Sequence, residues 1–201
     1  VLNVTAALEL DDERLYSSCA KAGIRMNRVM FDRKIDENYW DAEKKARLAL
    51  DSALPLCETF DFKIGVQNHS GENVPNNAMG LHNLLKDYDA RYFGAIWDPA
   101  HNALEGEAPE PALDIVRDHL CIVNLKNAFW KMIDTPEAET AQWQVYWTSG
   151  RKGRASWPRV ARKLIEMDYQ GPNCLSAEYS EPEKVEVLIR KDLVFAKQCF
   201  M

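Results

Sequence analysis

Paired metal-binding or redox cysteines are missing from this 201-residue chain. Its five cysteines, Cys19, Cys57, Cys121, Cys174 and Cys199, lie far apart and form no Cys-x-x-Cys pair, so neither a zinc knuckle nor a thioredoxin-like motif is signalled. An odd count with no small disulfide-rich frame reads as reduced thiols in a cytoplasmic protein. Long Lys/Arg runs are absent too, and the formal net charge is -6, which argues against non-specific nucleic-acid binding by counterion displacement. No apolar run approaches the length that crosses a bilayer, the chain contains no charged-then-apolar signal segment, and a start at Val1 rather than Met suggests a piece of something larger or the loss of a removed segment. Nucleic acid and membrane are therefore not expected partners.

What is present suits one soluble domain over residues 1–201: 46% hydrophobic and 28% charged residues, enough for a sizeable core. Apolar, β-branched runs predict strands over Val1 to Ala7, Ile24 to Phe31, Phe62 to Asn68, Tyr92 to Trp97, His119 to Leu125 and Asn173 to Tyr179. Helical spacing predicts helices over Glu13 to Lys21, Asn38 to Thr59, Ala78 to Leu85, Ala112 to Arg117, Arg159 to Met167 and Glu183 to Cys199. In the longest, Trp40, Ala46, Leu50 and Leu54 form the expected buried stripe, Glu43 and Lys44 face outward, and Pro55 is expected to kink or end it. Asn102 to Pro111 reads as a loop. The aromatic segment from Asn127 to Arg154 reads as a long functional one, whose Trp and Tyr residues either pack over a sugar face or fill gaps beneath the loop. Strands alternating with helices predict βα units on a parallel sheet; six are visible, where a closed barrel has eight.

Two of these strands end in polar groups. Phe93 to Trp97 runs into Asp98-Pro99-Ala100-His101, and Phe62 to Val66 into Gln67-Asn68-His69-Ser70-Gly71. Ligands of open α/β sheets bind at such carboxyl ends. Asp98 before a proline is equally a turn residue. Glu178, between apolar neighbours on a strand expected to be buried, needs a pocket or a salt bridge to explain it. Lys126 either polarises a substrate carbonyl or is a buried ion-pair partner. Gly150-Arg151-Lys152-Gly153-Arg154 is a cationic loop that either binds an anion or is simply solvated. His69 and His101 are candidate donors to a ligand, with structural hydrogen bonding as the alternative, whereas His82 and His119 read as structural.

The order Gln67-Asn68-His69-Ser70-Gly71, Trp97-Asp98-Pro99-Ala100-His101, Asn124-Leu125-Lys126-Asn127, Trp157 before the Gly171 turn, and Ala177-Glu178 resembles the xylose isomerase-like TIM barrels, the sugar phosphate isomerase/epimerase group. The resemblance implies an α/β TIM barrel whose first two βα units are not in this chain. It implies a divalent metal, Mg or Mn, at the positions of Gln67, Asp98, Asn124 and Glu178, where the family has Glu, Asp, His and Glu. The family's His-x-Lys-Asp run keeps only Lys126 here. Two amides in place of a carboxylate and an imidazole leave a weaker ligand set, and Gln67 cannot take a proton, so Glu178 is the remaining acid or base.

The resemblance thus implies an isomerase or epimerase that moves a proton next to a carbonyl of a sugar or hydroxy-keto acid, metal-assisted, with Glu178 catalytic and His69, His101, Lys126 and Arg154 on the substrate. The rival expectation is a non-catalytic descendant that binds a carbohydrate or polyol. A DNA-repair endonuclease of the same barrel would need a zinc site with more His and carboxylates than this chain offers. A sheet with open edges further predicts pairing with more chain or with a second copy, a homo-oligomer.

Overall fold

Leu15, Tyr16 and Cys19 recur at helical spacing behind Asp12, and in the computed structural model, which describes residues 9–201, they form the buried face of α1 (Glu13–Lys21). The strand expected over Val1 to Ala7 lies outside the described residues. Asp12 caps α1 by accepting from the Arg14 backbone N–H at 3.0 Å. Gly23, at φ +73°, turns the chain toward β1 (Met26–Val29) and the short β2 (Phe31–Asp32).

α2 (Tyr39–Phe60) is the longest helix and departs from expectation in two ways. It runs through Pro55, which is exposed, so the carbonyl that the proline leaves without a donor can be hydrated. Its buried stripe is Ala42, Ala46, Leu50, Ala53 and Cys57, and it also takes in Glu43, whereas Trp40 is 66% exposed. Glu43 can be buried because its carboxylate accepts two hydrogen bonds from the Asn83 amide, both at 2.9 Å, and one from Arg47.

Next come β3 (Lys63–Gln67), the short β4 (Asn73–Val74), α3 (Ala78–Leu85) and β5 (Phe93–Trp97). The loop expected over Asn102 to Pro111 is largely helical. Asp98 and Pro99 start α4 (Pro99–Leu104), and a second proline starts α5 (Pro109–Val116). After β6 (Leu120–Leu125), the expected long loop is an antiparallel hairpin of β7 (Asn127–Met132) and β8 (Trp143–Thr148), with Asn127 opposite Thr148 and Met132 opposite Trp143. α6 (Trp157–Glu166), the edge strand β9 (Asn173–Leu175) and α7 (Val185–Cys199) complete the chain.

β1, β3, β5, β6 and β9 form one parallel sheet in chain order, the arrangement of a TIM barrel arc. β3 and β5 are buried on both faces, as parallel strands under helices must be. Ile64, Val66, Phe93, Ala95 and Trp97 face the helices and meet Leu50, Leu81, Leu113 and Val160 in the main core. On the opposite, concave face Gly65 pairs with Gly94. A Cβ on Gly65 would stand 2.6 Å from the Ile96 side chain, and one on Gly94 would stand 2.6 Å from Cys121 Sγ; glycine lets those side chains fill the concave floor.

Candidate functional site

Strand alternation puts residues 65, 67, 94, 96 and 98 on the concave face, so the last residue of β3 and the first residue beyond β5 deliver Gln67 and Asp98 to the same rim. Asp98 is fully buried and has the cap geometry of a helix start: Oδ1 accepts from the backbone N–H groups of Ala100 (3.0 Å) and His101 (3.2 Å). Oδ2 accepts from Gln67 Nε2 at 3.0 Å and Asn124 Nδ2 at 2.8 Å. Lys126 Nζ lies 3.6 Å from the same oxygen. Burial pushes this carboxyl up to about 6, while the Lys126 ammonium and the N–H donors pull it back. It is therefore mostly ionised at neutral pH.

The orientation of the two amides follows from their neighbours. Arg28 NH1 meets the Gln67 amide at 2.6 Å and can only donate, so the Gln67 oxygen faces Arg28 and its NH2 faces Asp98. The Asp98 carboxylate can only accept, so Asn124 also presents its NH2. Lys126, 5% exposed, spans the remaining gap and donates to Glu178 Oε2 at 2.8 Å. All four residues expected at the site are thus linked: the amides of Gln67 and Asn124 bond Asp98, and Lys126 bridges Asp98 to Glu178.

Glu178 itself lies differently than expected. β9 stops at Leu175 rather than Tyr179, and the Glu178 side chain is 45% exposed. Among the described residues β9 pairs with β6 alone, and the Glu178 carboxylate lies half-exposed beyond its end.

His101 is buried, and its Nδ1 accepts from the Ser70 N–H at 3.1 Å. The ring proton is then on Nε2, which has no hydrogen-bond partner and lies 3.9 Å from Asp98 Oδ2. Burial, then the nearby charges of Lys126 and Arg28, hold this imidazole neutral, with its pKa well below the usual range. His69 packs against it at 3.8 Å between ring centroids and is also held down by burial. Trp147, from β8, covers Lys126 and His101: its ring lies 4.4 Å from Lys126 Nζ and 5.2 Å from the His101 ring. Of the aromatic residues of 130–147, Trp147 is thus the one over the site.

Residues 13–199 match the family model of the xylose isomerase-like TIM barrels. The chain belongs to that family. No curated protein matches it. Among solved structures it is similar to 3-keto-D-glucoside 4-epimerase YcjR from E. coli (TM-score 0.74, 13% identity, 99% of this chain and 79% of that one). It is also similar to D-allulose 3-epimerase from Methylomonas sp. in complex with D-allulose (TM-score 0.69, 13% identity, 94% and 68%). A third is a xylose isomerase domain protein from Planctomyces limnophilus (TM-score 0.62, 18% identity, 92% and 62%). At these identities the likeness is one of fold.

Within this xylose isomerase-like barrel, Arg154 stands apart from the ammonium-centred cluster. It is exposed, and it lines a cavity of about 160 Å³ with Trp97, Asn102, Glu107, Arg159 and Val160. That cavity shares no wall with Gln67, Asp98, Asn124 or Glu178 and is small for a sugar. Arg28 and Asn68 escaped the sequence reading. Asn68 Oδ1 accepts from the Asp98 N–H at 2.8 Å and its NH2 donates to the Asp98 carbonyl, fixing the strand end. A charged residue within the strand expected over Ile24 to Phe31 was the available signal for Arg28, blurred by Arg25 and Asn27 beside it.

Proposed function

We propose that the rim cluster is a sugar site, and that the protein isomerises or epimerises a monosaccharide-sized keto sugar by moving a proton next to its carbonyl. The observation that carries this reading is the Glu178–Lys126 pair at 2.8 Å. A solvent-facing carboxylate able to take a C–H proton stands beside an ammonium able to hold the carbonyl oxygen as it becomes an enediolate. His101 Nε2–H supplies a second donor, and Trp147 offers an apolar wall to a sugar face. The structural neighbours that act on 3-keto-D-glucosides and D-allulose support the substrate class.

One base acting alone favours transfer between adjacent carbons on one face of the substrate, because the second position of an acid/base pair is the amide Gln67. The divalent ion implied at 67, 98, 124 and 178 does not fit the donor set, which points two amide NH2 groups and an ammonium at its two carboxylates. The test is deuterium uptake from D2O into the carbon beside the carbonyl of ketoses incubated with the protein, followed by proton NMR. Exchange should fall by about 10²–10⁴-fold in Glu178→Gln. Exchange that survives the change removes Glu178 as the base. The Gln67 amide favours a second reading, a pocket that binds a sugar or polyol without chemistry; saturable binding with no exchange in wild type would select it.

A further inference from the structure

We propose that the Lys126 ammonium occupies the place a divalent cation would hold, so that this pocket draws ligand oxygens to protein donors and works without a metal ion. The purpose of those donors rests on the sugar-site reading above, but what fills the centre does not.

Three observations carry it. The groups converging on the centre are donors apart from the two carboxylates: the NH2 of Gln67 and of Asn124, the Lys126 ammonium and the unpartnered, buried Nε2–H of His101. The alternative imidazole ligand atom, His101 Nδ1, is already taken by Ser70. An oxygen-seeking cation needs lone pairs facing inward, and turning the Gln67 amide to offer one would aim its NH2 at the Arg28 guanidinium. Secondly, Lys126 lies 2.8 Å from Glu178 and 3.6 Å from Asp98, bridging the two carboxylates that would have held the ion. Thirdly, the charges of Asp98 and Glu178 are opposed by Lys126 directly and by Arg28 through Gln67. A divalent ion would bring uncompensated positive charge to a centre where Asp98 is fully buried. A lining rich in donors suits an enediolate, a carboxylate or the hydroxyls of a polyol.

The test uses the full chain, stripped with EDTA and then incubated with Mn2+ or Mg2+. Metal content is measured after gel filtration, and Tm with and without the ion. We expect no stoichiometric metal and a Tm change within about 1 °C. An ion bound at about a hundred times its Kd would raise Tm by about 5–10 °C; that rise, or one ion retained per chain, overturns the proposal. The variant Gln67→Glu with Asn124→Asp replaces two donors by oxygens and should acquire a Mn2+-dependent rise. A folded variant that stays flat counts against the amides as the excluding groups, and if the variant does not fold, the wild-type result decides alone. Failure of every ketose to bind a metal-free wild type contradicts the sugar reading and leaves this one standing.

Discussion

A carboxylate as deeply buried as Asp98 keeps its charge because four hydrogen bonds and one ammonium surround it. Asp98→Asn would set an amide NH2 against donors, and we expect it to lower stability by about 3–5 kcal/mol, seen as a fall in Tm of about 10 °C. Asn127 has a comparable role. Its NH2 donates to the carbonyls of Gly150 and Ala155 at 2.9 and 2.7 Å, and its oxygen accepts from the Ala128 and Ala155 N–H groups. Asn127→Asp loses both donors and faces a carboxylate with two carbonyl oxygens, so a loss of about 3 kcal/mol in denaturant unfolding is expected.

The buried histidines set the pH dependence. His101 and His69 stay neutral in the folded state, so the stability they contribute is present above about 6.5 and is lost as pH falls, because the unfolded chain then binds protons that the folded chain refuses. Asp98, raised to about 6, acts with the opposite sign: its contribution is present below the unfolded carboxyl range near 3.8 and is lost as pH rises through about 6. His101→Gln removes part of the first effect and leaves the second. Its Tm should therefore decline less than that of wild type between about pH 7 and pH 5. Asp98, Lys126 and His101 were legible in the sequence because each ends or follows an apolar run. The work of Asn127 was not, since three of its four hydrogen bonds reach Gly150 and Ala155, more than twenty residues away along a path that only folding defines.

At the scale of elements, α4 and the β7–β8 hairpin decide the shape of the site, and neither was legible. α4 has six residues and depends on the Asp98 cap, so its helical period is too short to read from spacing. The hairpin joins strands separated by ten residues, and its pairing is non-local. Its site end is tied down from the other side: the Ser180 hydroxyl accepts from the Trp147 N–H at 2.9 Å, and the Ser180 N–H donates to the Trp147 carbonyl at 3.0 Å. Trp147 is therefore held over Lys126 by Ser180, two residues beyond Glu178. Trp147→Ala should weaken saccharide binding by about tenfold through loss of the apolar wall, with Trp147→Phe closer to wild type, as measured by calorimetry. The parallel strands were legible as continuous apolar, β-branched runs, buried on both faces in β3 and β5, and the longer amphipathic helices as repeats of period 3.6.

For the molecule as a whole, the arc was legible in the alternation of strands and helices. How far β9 extends was not, because a strand's length depends on its neighbours. Cys174 on β9 is exposed, as are Val187, Leu193 and Val194 on α7. Cys19 and Cys57 are buried, and burial pushes the Cys57 thiol up to about 12. A thiol reagent should therefore label Cys174 well before Cys19 or Cys57. If a second copy covers this edge, labelling of Cys174 should slow as protein concentration rises, and concentration-independent labelling would contradict such pairing. No helix among the described residues is long and apolar enough to cross a membrane.

The claim beneath all of this is that distant residues of the chain meet around Lys126 in a sugar site. Calorimetric titration of ketoses and polyols into wild type and Lys126→Met tests it most directly. Saturable binding to wild type, weakened at least about tenfold in the folded variant, is expected. Equal affinity in the two proteins would contradict it.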